Sequence, residues 1–180
     1  KSKNPKRSFD FLINEIRNDV NLDNNLSLLD IGCATGEFIR HTSSVFTNFN
    51  FEGIDIEPKL IEQAKNNCPK YNFYIADIGS SNFSLTTKYD IITASGVLQI
   101  LEDIDIFFKN ILSLLNTNGT CLIFGLFNPE PVNVFITATK TNQKFDHLET
   151  GWNIFSIDYI SKYLSKLNLK HEWKEWNLDI

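Results

Sequence analysis

The chain has 180 residues, 42% hydrophobic and 22% charged, which gives enough apolar material for one domain of ordinary size and excludes wholesale disorder. Seventeen Lys and Arg against twenty-two Asp and Glu leave a net charge of -5, the wrong sign for a protein whose main task is gripping phosphate backbones. No apolar run reaches the roughly eighteen residues that a membrane span needs.

The N-terminal KSKNPKRSFDFLINEI is basic but lacks the apolar core of a signal peptide. Lys1, Lys3, Lys6 and Arg7 suit a solvated tail over residues 1–7. The chain opens on Lys1 and holds no Met, as an excised piece of a longer chain would. Cys33, Cys68 and Cys121 are odd in number and far apart. They match neither a disulfide framework nor a metal spacing, and they suit a reducing, cytoplasmic setting with no metal and no membrane. Few Gly and Pro and no repeat predict a single domain over 1–180.

In chain order, Phe9, Leu12, Ile13, Ile16 and Val20 mark one face of a helix over 8–20, with Ser8 as its cap. The short apolar run Leu26–Ile31, ending at once in glycines, predicts a buried parallel strand. Residues 37–46 follow as a helix, 50–56 as the second strand, and 58–67 as a helix opened by Pro58. Residues 71–76 and 89–94 are the third and fourth strands. Asp103 caps a helix with Ile104, Phe107, Phe108, Ile111, Leu114 and Leu115 on its inner face, closed by the turn Asn116–Gly119. Residues 120–126 form a continuous apolar run and so a central fifth strand. Residues 127–153 fit no period. Ser156 caps a last helix over 157–167, and the alternation of 170–178 predicts a sixth strand near an edge.

Strands alternating with helices predict an α/β, doubly wound, mostly parallel sheet, with ligands beyond the strand C-termini. The chemistry is therefore sought there. After strand one stands LLDIGCATGEF, a small-residue turn opening a helix. A dinucleotide fingerprint requires glycine at 32, 34 and 37, where this chain has Gly32, Ala34 and Glu37. Asp30 at the strand end would repel a pyrophosphate and suits a cation. Asp55, 23 positions past Gly32, is near the distance at which an acid meets a ribose diol. Ile56 offers a purine an apolar face. Asp77 suits an exocyclic amine, and the Ile78 N–H a ring nitrogen. Strand four ends in Ser95 and Gly96, small residues before an apolar stretch.

A cation site, a ribose site, an adenine site and an apolar floor together describe S-adenosylmethionine. The segments LLDIGCATGEF, FEGIDIEPKLIEQA, FYIADIGS and YDIITASGVLQIL resemble the Rossmann-like (class I) S-adenosylmethionine-dependent methyltransferases in order and spacing, over about residues 26–126. Ala34 departs from the glycine the family often has. The resemblance implies that Gly32, Cys33, Ala34 and Gly36 pass the backbone under the methionine part and that Asp30 orients that turn. It implies that Asp55 holds the ribose, Asp77 with Ile78 reads adenine, and Ser95 with Gly96 lines the sulfonium. The family fold ends in an antiparallel strand for which this chain has no residues left, so an incomplete sheet is expected.

The sequence shows no obvious general base; His147 and Glu149 are the candidates, beside a mechanism that needs none. Residues 127–153 are expected to wall the acceptor, through Trp152 among others. Without an Asn-Pro-Pro-Tyr-type tetrapeptide after strand four, a small-molecule or sugar-like acceptor is favoured and a nucleic acid disfavoured. Three alternatives stay open: a macromolecular acceptor (protein or RNA), a non-catalytic cofactor-binding module of a larger protein, and a nicotinamide-dependent oxidoreductase.

Overall fold

A computed structural model describes residues 6–19, 25–101, 103–139 and 149–177, with the backbone alone at Asp19, Glu149 and Thr150. The first helix, α1 (Arg7–Asp19), begins one residue before Ser8, which lies inside its first turn instead of capping it. Arg7, placed in the expected tail, is thus the first residue of this helix, and the Lys6 carbonyl accepts from the Phe9 N–H at 2.9 Å.

Four helices and five strands make up the first part of the chain: α1 is followed by β1 (Ser27–Ile31), α2 (Glu37–Val45), β2 (Asn50–Asp55), α3 (Pro58–Asn67), β3 (Asn72–Ile75), β4 (Tyr89–Ser95), α4 (Ile104–Leu114) and β5 (Leu115–Phe124), so strands and helices alternate except that β3 leads to β4 without a helix. The strands form one parallel sheet in the order β3-β2-β1-β4-β5. β1 has β2 on one side and β4 on the other, so the strand order reverses at β1, and Ile31 pairs with both Ile54 and Ala94. The C-terminal ends of β1, β2 and β4 thus stand level, and Asp55 pairs with Ile75 of β3 beside them.

Both sheet faces are apolar because a parallel strand is covered on both sides. Leu28, Phe51, Phe73 and Ile91 pack with Phe9, Ile13 and Ile16 of α1, Phe38 and Ile39 of α2, and Ile61 and Ala64 of α3. The alternate residues Leu29, Ile31, Ile54, Ile92 and Ala94 are buried as well. α4 carries its own buried stripe of Ile104, Phe107, Phe108, Ile111 and Leu114, and Asp103 caps it by accepting from the N–H groups of Asp105 and Ile106.

Two strand expectations are corrected. Residues 116–119 do not close α4 as a separate turn. They stand within β5 as an irregularity between the pairs Tyr89–Leu115 and Ile91–Thr120, with Asn118 at φ 63°. β5 is also an edge of the sheet among the described residues, with Cys121, Leu122, Ile123 and Phe124 half-buried, and not a central strand. A continuous apolar run reports that both faces are covered and says nothing about which edge is paired.

The described residues cluster into two compact units. The sheet with α1 to α4 is the first. The second holds Gly96–Leu101 and the described residues from Gly125 onward. There β6 (Phe127–Asn128) runs parallel to β9 (Phe155–Ser156), and β7 (Thr137–Ala138) runs antiparallel to β8 (Glu149–Thr150). The Ser156 Oγ caps α5 (Ile157–Lys166) by accepting from the Tyr159 N–H at 3.0 Å. Residues 170–177 form no strand, contrary to their alternation. Trp173 instead packs edge-on against Phe127 and donates to the Ser161 Oγ at 2.7 Å. No antiparallel strand lies beside β5 among the described residues.

Candidate functional site

The turn after β1 is folded onto the end of β2. The N–H groups of Gly32 and Cys33 both donate to the Ile54 carbonyl, at 2.8 and 2.9 Å. Gly32, Ala34 and Gly36 all take left-handed φ values of 70°, 47° and 77°, a run that small residues tolerate best. The Ala34 N–H donates to Asp55 Oδ2 and the Glu57 N–H to Asp55 Oδ1, each at 2.9 Å. One carboxylate therefore ties the first turn to the start of α3. Below it, a Cβ on Gly53 would stand 2.9 Å from both Cβ and Sγ of Cys33 and 2.8 Å from the Phe73 ring. Cys33 is buried there, and burial, with the charges of Asp30 and Asp55, pushes its thiol far above the ordinary range. It is packing, not a nucleophile.

Asp30 is only 4% exposed and accepts from the Thr93 hydroxyl of β4 at 2.8 Å. Burial is the main reason that its carboxyl is pushed up to about 7; the Thr93 bond pulls it down and the Asp55 charge raises it further. The turn thus overlies a carboxyl that gains from a nearby cation.

At the end of β3, Asp77 is exposed and its Oδ1 accepts from the Gly79 N–H at 2.8 Å. Ile78 is buried, and its carbonyl accepts from Asn110 Nδ2 of α4 at 2.8 Å; the same amide also reaches the Ser80 carbonyl at 2.9 Å. Ile56 and Ile75, 61% and 59% exposed, leave apolar surface at the ends of β2 and β3. Ser95 ends β4 exposed, and Gly96 follows at φ 72°. His147 lies outside the described residues, as does the side chain of Glu149, whose backbone lies in β8.

Three residues of this arrangement were not singled out from the sequence. Gly53 carried a usable signal, since glycine inside a strand marks a close backbone approach. Thr93 and Asn110 carried none, because each acts on a partner at least 30 positions away. Among the described residues no group of three or more His, Cys, Asp or Glu could hold a metal ion, and no helix is long and apolar enough to cross a membrane.

A parallel sheet whose order reverses at β1, with a small-residue turn and acidic residues at the strand ends, defines a Rossmann-like nucleotide-binding class. Residues 22–177 match the family model described as a methyltransferase domain, and the chain belongs to that family. It is 29% identical over 133 residues to malonyl-[acyl-carrier protein] O-methyltransferase 1 of Ilyobacter polytropus, covering 68% of this chain and 48% of that one. The chain spans about half the length of the curated relatives it matches. Among solved structures it is similar to DesVI of Streptomyces venezuelae, with TM-score 0.67, 12% identity and coverage of 91% and 83% of the two chains. It is also similar to CalS10, an amino pentose methyltransferase from Micromonospora echinaspora solved with S-adenosylmethionine bound, with TM-score 0.66, 14% identity and coverage of 92% and 83%. At these identities the two structures bear on the fold, which is the Rossmann-like methyltransferase fold.

Proposed function

We propose that this chain is an S-adenosylmethionine-dependent methyltransferase domain that methylates a small-molecule or sugar-like acceptor. The observation that carries the reading is the left-handed turn of Gly32, Ala34 and Gly36, bound to the Asp55 carboxylate and lying over the buried Asp30. The residues present fit the cofactor. Gly32, Cys33, Ala34 and Gly36 would carry its methionine part, and Asp30 would favour its positive charge. Each oxygen of Asp55 has a second lone pair. The two backbone bonds therefore aim the carboxylate and leave it able to accept both ribose hydroxyls. Ile56 and the exposed Ile75 would cover the adenine, and Asp77 with Ile78 would read its edge. Ser95 and Gly96 would line the sulfonium end.

When bound, the cofactor supplies a methyl group on a sulfonium leaving group. What the chain adds is orientation and exclusion of water. A hydroxyl or protonated amine acceptor also has to lose a proton, and His147 or Glu149 is the base assigned to it. The malonyl-[acyl-carrier protein] named for the relative, a small group carried on a protein, and the amino pentose named for CalS10 support a small acceptor group. Free thiols at Cys33, Cys68 and Cys121 suit a cytoplasmic setting.

Calorimetry with S-adenosylhomocysteine tests the cofactor site. Asp55→Ala removes two charge-assisted bonds to the ribose and should weaken binding by about 2–4 kcal/mol; unchanged affinity would remove the ribose assignment. Radiolabelled methyl transfer onto amino sugars, malonyl thioesters, tRNA and a protein mixture tests the acceptor. Methylation of tRNA or protein alone would overturn the small-acceptor reading, and His147→Ala and Glu149→Gln then test the base on whichever acceptor is methylated.

A further inference from the structure

The first residues of four parallel strands meet at one cleft. Ser27 opens β1, Asn50 opens β2, Asn72 opens β3 and Tyr89 opens β4. All four line a cavity of about 500 Å³, within the range of about 300–1,000 Å³ usual for small-molecule sites. The residues assigned to the cofactor stand at the other ends of these strands, roughly 15 Å away by strand rise. Every lining residue belongs to the first compact unit, so the cleft is complete without the second. Its walls are fixed. Ser27 donates to Asp90 Oδ2 from its N–H at 2.9 Å and from its hydroxyl at 2.8 Å. Glu52 accepts at Oε1 from the Asn72 amide at 3.1 Å and the Tyr74 hydroxyl at 3.3 Å, and at Oε2 from the Tyr89 hydroxyl at 2.5 Å. Tyr89 is only 2% exposed, and burial, with the hydrogen bond to Glu52 and its charge, pushes the phenol upward, so it stays a donor. Three donors therefore aim the Glu52 carboxylate, and its Oε2 keeps one lone pair.

The remaining lining selects a ligand class. Asn25, Thr47 and Asn50 face the cleft with side chains that make no hydrogen bond among the described residues. Amides and hydroxyls both donate and accept, as the hydroxyls of a sugar do. Glu52 and Lys70 are the charged residues of the lining, one of each sign, so the cleft offers an ion no net attraction. Its apolar part is aromatic: Phe49 and Phe51 are buried, and Tyr71 stands edge-on to Phe51 with ring centroids 5.4 Å apart. Such carbon covers the C–H face of a sugar ring and takes it out of water. We propose that this cleft is a second binding site, for a neutral saccharide, at the end of the sheet opposite the cofactor. A sugar there is a strand's length from the methyl donor, so it is held and not methylated. The inference does not rest on the cofactor assignment.

Amide chemical shifts test it. The isotope-labelled chain is titrated with maltose, lactose and N,N′-diacetylchitobiose into the millimolar range, with and without saturating S-adenosylhomocysteine. At least one disaccharide should shift the signals of Ser27, Asn50, Asn72 and Tyr89, with the same affinity in both conditions. The double variant Asn25→Ala, Asn50→Ala removes two exposed amides that hold no described residue, so the fold does not depend on them. It should weaken that binding about fivefold or more, the worth of one or two hydrogen bonds. Thr47→Ala, equally exposed, should weaken it about two- to fivefold. Both variants should keep the wild-type affinity for S-adenosylhomocysteine. No shift with any of the three sugars, shifts that survive both variants unchanged, or shifts centred on Gly32, Asp55 and Asp77 and lost with S-adenosylhomocysteine, would overturn the inference. Failure to bind S-adenosylhomocysteine would overturn the cofactor assignment alone.

Discussion

Burial raises the Asp30 carboxyl from its ordinary 3.8 to about 7, with Thr93 opposing the rise. The sign follows directly. A carboxyl that binds its proton more tightly when folded contributes stability that is fully present below about pH 4 and is lost as pH rises through 7. Asp30→Asn keeps the acceptor for Thr93 and removes the titration, so its melting temperature should fall less than that of the wild type between pH 4 and 7; parallel curves would show that Asp30 does not titrate there. A cation brought beside Asp30 favours its ionised form. S-adenosylhomocysteine binding should therefore release a fraction of a proton near pH 7, measured by calorimetry in two buffers of different ionisation enthalpy, and Asp30→Asn should abolish the release. Gly53→Ala places a Cβ where Cys33 and Phe73 already stand, and the Cys33 Cβ cannot rotate away. It should destabilise the first unit by about 1–3 kcal/mol in urea unfolding, and a stable variant would mean that the turn shifts freely on β2. At this scale Asp30, Asp55 and the glycine turn could be located in the sequence because each stands at the end of a strand or just past it. The hydrogen bond between the turn and Asp55 could not, because it joins positions 34 and 55 across the strand ends.

Among the elements, helices were legible where a cap and an apolar face agree. The Pro58 start gave α3 its observed bounds, and Asp103 and Ser156 cap α4 and α5 as their positions suggest. Strands were legible where glycines or turns bound them, as at β1, and misleading where alternation stood alone. Residues 170–177 alternate, yet a strand needs a partner, and none runs beside them among the described residues. Trp173 is placed by Phe127 and Ser161, contacts that no local pattern announces. Asn110 shows the same limit inside a helix that was otherwise read well. It sits on α4, nearly buried, and its amide holds the carbonyls of Ile78 and Ser80 in the loop after β3. Asn110→Ala would leave those carbonyls unpaired, costing about 1–3 kcal/mol, and would free the loop carrying Asp77 and Ile78. Adenosine affinity should fall along with stability; a loss of stability with adenosine affinity intact would separate that loop from the adenine site.

On the scale of the whole molecule, the two compact units differ in what holds them. The first has the sheet with apolar residues buried on both faces, whereas the second buries Val97, Leu98, Phe155 and Ile160 as its apolar residues among those described. So few buried side chains give a small unit little stability of its own. The chain also passes to the second unit after Ser95, returns to the first at Asp103 and leaves it again after Phe124, so neither unit is an unbroken stretch of sequence. The second unit should therefore unfold with the first, in one transition. The distribution of tryptophan makes this measurable, because the chain's three, Trp152, Trp173 and Trp176, all lie in the second unit, while Asp30, Asp55 and Asp77 lie in the first. Tryptophan emission and far-ultraviolet circular dichroism should give one melting midpoint. Saturation with S-adenosylhomocysteine at about a hundred times its dissociation constant adds about 2.7 kcal/mol by mass action. For a chain of this size that should raise both midpoints together by roughly 5–10 °C. If the fluorescence transition came at lower temperature and did not move with ligand, the second unit would be unfolding by itself, and coupling between the two would have to be abandoned.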